Sequence, residues 1–264
     1  MRALVLLLLL GCVSEEPEVS GRLYVIAGQS NAVGGVVTTN LADSSLATDY
    51  PAVQMYRQWG TGSDVPFAWE THTWTDLAGR DPDPAGGNKF HGVELSLGRG
   101  LAAKYGSGRV YLMQFAVNGT SLNADWKVAA TPQSGQSTNL YAQLVAAIAA
   151  QESAIGARLE GIVWIQGNGD TNNSSAAAAY ATNLKTFATS VRTELPGRDF
   201  RFVYDQLSQH QEGTYQSTVR AQQASLSLDP GFTMLNTDSY KLTDGDHYDS
   251  ASFVDLGYAF ARAL

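Results

Sequence analysis

The feature that most narrows the folds open to this chain is its alternation of short apolar runs with longer amphipathic stretches. The runs 23–27, 110–116, 161–165, 200–204 and 232–236 are built largely from aliphatic and aromatic residues. Between them the apolar positions fall at helical spacing. Leu97, Leu101 and Tyr105 follow Val93 on one face, and Gly106 ends that stretch. Leu140, Tyr141, Leu144, Val145 and Ile148 share the next face, closed by Gly156. Tyr180, Leu184, Phe187 and Val191 share a third, which stops at Pro196-Gly197. A weaker helix is expected over 214–227 and a last one over 251–263, with Phe253, Leu256 and Phe260 inward. Strand-helix alternation implies βαβ units, a parallel sheet and right-handed crossovers that put helices on both faces. The nearly unbroken apolar run 161–165 suits a strand buried on both sides. Ligands bind such sheets beyond the carboxyl ends of the strands. The polar clusters Gln29-Ser30-Asn31, Asn118-Gly119-Thr120 and Gln166-Gly167-Asn168-Gly169-Asp170 each follow a strand end, so all three are expected at one edge.

The stretch 36–91 breaks the pattern. It is rich in Gly, Pro, Asp and aromatics, including Trp59, Trp69 and Trp74. Alternation in Val53-Gln54-Met55-Tyr56 and Thr71-His72-Thr73-Trp74 suggests short strands or a hairpin. A long irregular connection is usually functional, and this one is expected to cover the site from the substrate side.

The amino terminus reads as a processed leader. Arg2 precedes an apolar run over 3–10, too short to span a bilayer but suited to a secretory signal. Cys12 is the only cysteine of the 264 residues, so no intrachain disulfide is available. The expected organisation is a signal peptide over 1–11, a lipid-bearing Cys12 with an acidic tether over 12–21, and one domain over 22–264. About 240 residues suffice for a single α/β core. The net charge of −8 without a Lys/Arg cluster argues against a nucleic-acid partner.

Two patterns carry chemistry. In Gly28-Gln29-Ser30-Asn31 a serine sits where a buried strand stops and the chain turns sharply, the placement of an exposed nucleophile. In Asp244-Gly245-Asp246-His247 a carboxylate three residues before an imidazole can orient the ring and stabilise its cation. Ser30, His247 and Asp244 are therefore candidates for nucleophile, base and acid. An oxyanion needs backbone N–H groups and an amide. The N–H groups of Ser30 and Gly119 and the side chains of Gln166 and Asn168 are the candidates, with Asp170 bracing their loops. Asp244, Asp246, His247 and Asp249 crowd together, but they lack the spacing of a calcium loop and a companion His or Cys, so no metal is expected.

These blocks, in this order, resemble the SGNH hydrolase superfamily. The resemblance is to its carbohydrate-esterase branch, family six, which includes sialate O-acetylesterases and acetylxylan esterases. Gly28-Gln29-Ser30-Asn31 is similar to the branch's nucleophile block, and His91-Gly92-Val93-Glu94-Leu95-Ser96 to the opening of its first long helix. Asn118-Gly119-Thr120-Ser121 with Trp126 resembles the second block. Trp164-Ile165-Gln166-Gly167-Asn168-Gly169-Asp170 resembles the third, and Asp244-Gly245-Asp246-His247 the last. Leu9-Leu10-Gly11-Cys12 resembles a bacterial lipobox. The resemblance implies a flavodoxin-like three-layer α/β/α sandwich with a central parallel sheet, and cofactor-free removal of O-acetyl groups from sugars through an acetyl-serine. It also implies an exported bacterial lipoprotein held at a membrane through Cys12. One position departs from the pattern: Asn168 stands where the branch usually has glutamate. Asp246 adds a charge beside His247 and is expected at the rim. Trp126 and the aromatics of 36–91 either stack on the sugar or form the core of their loops, two readings the sequence leaves open. Two rival readings share parts of this pattern: a non-catalytic carbohydrate-binding lipoprotein, and an esterase of the same mechanism acting on non-sugar short-chain esters.

Overall fold

The computed structural model describes residues 21–61, 75–79, 89–106, 110–131 and 138–264. In chain order the elements are β1 (Gly21–Gly28), α1 (Ser30–Val33), β2 (Val36–Val37), β3 (Tyr50–Thr61), β4 (Thr75–Leu77) and β5 (Phe90–His91). There follow α2 (Glu94–Tyr105), β6 (Val110–Asn118), α3 (Leu140–Ile155), β7 (Ala157–Ile165) and α4 (Ser174–Glu194). The chain ends with β8 (Arg201–Asp205), α5 (Gln216–Leu226), β9 (Phe232–Leu235) and α6 (Ser250–Ala263).

A seven-stranded sheet runs in the order β4-β3-β6-β1-β7-β8-β9. Every pairing is parallel except β3 with β4. Along β1, Leu23, Val25 and Ala27 enter one apolar core while Tyr24 and Ile26 enter the other. The period-two alternation of a strand makes that division. The first core packs α3, α4 and α5 through Leu144, Ile148, Phe187 and Val219. The second packs α2 and α6 through Leu97, Leu101, Leu256 and Phe260. The result is the three-layer α/β/α sandwich expected from the alternation. Each large apolar side chain so buried contributes about 1.5–3 kcal/mol before conformational entropy is counted.

The described parts of 36–91 hold more regular structure than the composition of that stretch suggests. Tyr50–Thr61 is a full strand of the main sheet, parallel to β6, with Val53 opposite Val110. Its antiparallel partner is Thr75–Leu77, with Met55 opposite Thr75; the expected partner Thr71-His72-Thr73-Trp74 lies outside the described residues. The alternation of Val53-Gln54-Met55-Tyr56 marked part of this strand but not its length or its place in the main sheet, because near the sheet edge the pleat need not be apolar on both faces. The small ribbon of β2 and β5 joins Val36 to His91.

Candidate active site

The carboxyl end of β1 sets the position of Ser30. Gly28 has φ +137°, and a Cβ there would collide with the Ile165 carbonyl, so the turn requires glycine. The chain leaves the sheet with the Gln29 N–H donating to Ile165 O at 3.0 Å, and Ser30 opens α1. Gln114 holds the other end of this short helix: its Nε2 donates to Ala32 O at 2.7 Å and Val33 O at 3.0 Å. Ser30 is partly exposed between buried Gln29 and Asn31. It lines a cavity of about 670 Å³ whose wall also holds Gly119, Phe90, Asp244, Asp246 and His247.

Asp244 and His247 form a closed turn between β9 and α6. Asp244 Oδ2 meets His247 Nδ1 at 2.8 Å, while Oδ1 accepts the N–H groups of Asp246 (3.1 Å) and His247 (2.9 Å). The Thr243 N–H donates to His247 O at 2.8 Å and completes the turn. Desolvation is the largest single influence on the Asp244 carboxyl and raises it, but the hydrogen bonds from the His247 ring and from the two backbone N–H groups together outweigh it and hold it at about 2. An ionised carboxylate on Nδ1 places the proton there and leaves Nε2 as the basic nitrogen. No hydrogen bond joins Ser30 Oγ to His247 Nε2 among the described residues, though both groups line one cavity; without substrate such catalytic bonds are often long.

The loops are bound together from below. Asn31, the residue after Ser30, donates from Nδ2 to Asp246 O at 3.0 Å and accepts the Tyr248 N–H on Oδ1 at 3.2 Å. One side chain thus grips the backbone on both sides of His247. Gln29 Oε1 accepts the Gly169 N–H at 3.0 Å and Gln166 Nε2 at 3.2 Å. Asp170 is fully buried, and its carboxylate accepts Ser121 Oγ (2.8 Å), the Leu122 N–H (2.7 Å), the Asn123 N–H (3.0 Å) and Gln166 Nε2 (2.7 Å). It braces the loops after β6 and β7, as its place in the sequence suggested. Below His247, the buried Tyr248 hydroxyl donates to Asp205 Oδ2 at 3.2 Å.

The structure gathers Ser30, Gly119, Asp244 and His247 around one cavity, and Gly119 turns there with φ +70°. It does not bring the two side-chain amides into that wall. Gln166 is buried, and its Nε2 faces Gln29, Thr120 O and Asp170, which leaves no N–H for an oxyanion. Asn168 donates from Nδ2 to Asp246 Oδ1 at 2.8 Å and lines an adjoining cleft instead. Asp246 stands where the cavity and the cleft meet. Trp126 cannot stack on a sugar: it is fully buried, donates from Nε1 to Thr120 Oγ1 at 2.8 Å and packs edge-on against Trp164. Trp69 and Trp74 lie outside the described residues, as does Cys12. The sequence reading missed the roles of Gln29 and Asn31. The available signal was the pair of polar residues flanking Ser30 directly after an apolar strand.

A doubly wound sheet with a serine at the tip of its central strand, facing an Asp-His pair on the last loop, is the SGNH-type esterase architecture. A family profile described as "Carbohydrate esterase, sialic acid-specific acetylesterase" matches residues 20–264, and the chain belongs to that family. It is a carboxylic ester hydrolase, a carbohydrate O-acetylesterase. Similar solved structures include a protein from Arabidopsis thaliana, with TM-score 0.70 and 16% identity, covering 92% of this chain and 97% of that one. A carbohydrate acetylesterase from Xanthomonas citri has TM-score 0.65 and 18% identity, over 91% of this chain and 55% of that one. The protein NanS has TM-score 0.64 and 13% identity, over 93% and 99%. At these identities the likeness is one of fold. A search among curated proteins finds no match.

Proposed function

We propose that the acetyl ester is cleaved through a covalent acetyl-serine, with Ser30 as nucleophile, His247 as general base and Asp244 as the group that orients and charges it. The single observation that carries this reading is the 2.8 Å pair of Asp244 Oδ2 and His247 Nδ1 opening into the cavity that holds Ser30. Ser30 Oγ attacks the acetyl carbonyl while its proton passes to His247 Nε2. The new C–O bond forms as the carbonyl pair moves to oxygen, where the N–H groups of Ser30 and Gly119 receive it. Collapse expels the sugar oxygen, which takes the proton from Nε2. Water, deprotonated by the same nitrogen, then attacks the acetyl-serine, and acetate and free Ser30 result.

Ser30→Ala tests the assignment. Acetate release from 4-nitrophenyl acetate is expected to fall by about 10⁴-fold or more, and a serine-directed phosphonate should no longer label the folded protein. Activity within tenfold of the parent enzyme rejects Ser30 as nucleophile. A binding protein without catalysis would retain its affinity for sugar and show no labelling in either form.

We also propose that the leader ends at Gly11 and that Cys12 carries lipid, so that the enzyme works from a bacterial membrane surface on the exported side. The support is the position of the sole cysteine directly after the apolar run 3–10. Incorporation of labelled palmitate into the protein, abolished by Cys12→Ala, is the expected result.

A further inference from the structure

We propose that the substrate is an uncharged acetylated glycan lying across two adjoining depressions, and that sugars bearing a free carboxylate are disfavoured. This rests on the reading that the cavity at Ser30 is where the acetyl ester is cleaved.

The cavity at Ser30 is far larger than an acetyl group, so part of the sugar must enter it with the ester. Among the described residues its wall carries the carboxylates of Asp244 and Asp246 and neither Lys nor Arg. Beside it lies a cleft of about 320 Å³, lined by Asn168, Thr171, Asn172, Glu212, Thr214 and Asp246. That lining offers amides, hydroxyls and carboxylates, a set that matches the mixed donors and acceptors of sugar hydroxyls. Asp246 belongs to both walls and ties them together through Asn168. A chain of sugar units can therefore run from one to the other past a single carboxylate.

Among the described residues that line the two depressions, Asp and Glu occur and Lys and Arg do not. The Glu212 carboxyl packs against Gly245, between Asp244 and Asp246 in the turn. Arg220 is bound to Asp238 at 2.7 Å, Lys89 pairs with Asp49, and Lys241 lines a separate depression beside Asp238. A sugar carboxylate ordinarily meets an arginine fork or a lysine. Here it would meet Asp244, Asp246 and Glu212 instead. The family description names sialic acid, an anionic sugar; the walls of this site suit a neutral one.

The test uses an O-acetylated sialic acid methyl glycoside in two forms, the free acid and its carboxyl methyl ester. The two share sugar and acetyl group and differ only in charge. At low ionic strength the neutral form is expected to have a kcat/KM about tenfold higher. The gap should narrow as salt is raised toward 1 M, where the Debye length falls to about 3 Å. In Glu212→Gln the ratio of the two rates, measured on one preparation, should also narrow, and a ratio is insensitive to partial loss of folded enzyme. Equal rates, faster cleavage of the free acid, or no cleavage of the neutral form overturns the proposal. Hydrolysis of 4-nitrophenyl acetate, run alongside, separates these outcomes from a failure of the esterase reading, which alone would abolish that activity too.

Discussion

Asn31 Oδ1 accepts the N–H of Tyr248 at 3.2 Å, joining the residue after the serine to the residue after the histidine across 217 positions of chain. With its other end on the Asp246 carbonyl, this side chain sets the distance between the nucleophile turn and the acid-base turn. Asn31→Ala should lower kcat by about 10–100-fold through misplacement of His247, with little change in KM. Asn31→Asp keeps the acceptor, loses the donor and should recover part of the rate. Two buried bonds are lost in the alanine variant, a cost of about 2–3 kcal/mol, visible as a lower denaturation midpoint. A variant destabilised to that extent but with unchanged kcat would show that Asn31 supports the fold without positioning the base.

Asp244→Asn tests the acid. The amide can no longer hold the proton on His247 Nδ1 as a charge partner, and kcat should drop by about 10³–10⁴-fold near neutral pH. The carboxyl titrates at about 2 in the folded protein, below its ordinary 3.8. Its contribution to holding the turn is therefore present above pH ~4 and lost as pH falls through ~2. Thermal unfolding followed downward from pH 5 should show a loss in the parent enzyme that the Asn variant lacks. Identical profiles would contradict the pairing.

Asp170 gathers four donors in a fully buried setting. Asp170→Ala should leave them unsatisfied and cost at least about 3 kcal/mol, lowering the midpoint by about 6–12 °C in a domain of this size. It should also impair kcat, because the loops after β6 and β7 bear on the site. Calorimetry on the purified variant is the check, and a shift under 2 °C would remove Asp170 from the frame.

Burial raises the Asp205 carboxyl to about 7 from an ordinary 3.8, partly offset by the Tyr248 hydroxyl. Its Oδ1 has no hydrogen-bond partner among the described residues. Between pH ~4 and ~7 the unfolded chain holds fewer protons at this position than the folded one, so stability falls as pH rises through that interval. At about 1.4 kcal/mol per pH step the loss is about 4 kcal/mol. Asp205→Asn should flatten this slope, and unfolding midpoints measured from pH 4 to pH 8 should converge at the acid end. A variant with the parent's slope would show that Asp205 stays ionised throughout.

Much of the sheet was legible because its information is local. The strands β1, β6, β7, β8 and β9 are apolar runs, the helices between them keep a 3.6-residue period, and together they imply the parallel order. The candidate residues Ser30, Gly119, Asp244 and His247 were legible because each sits just past such a run or in a tight turn. Of β3 only the alternation over 53–56 was legible, because a strand near the sheet edge carries no unbroken apolar signal.

The amino-acid order thus determined the layered architecture and the residue types at the tips of its strands, since burial and turn geometry act over a few neighbouring positions. Only the tertiary structure decided which polar side chains face the cavity. Gln166, read as a donor, points inward to Asp170, and Trp126, which the sequence left open between a sugar platform and a loop core, lies in the core. Asn31, unremarked in the sequence, bridges the two halves of the site. Side-chain direction depends on which partners folding brings close, whether Asp170 four positions from Gln166 or Tyr248 217 positions from Asn31, and spacing along the chain does not single them out.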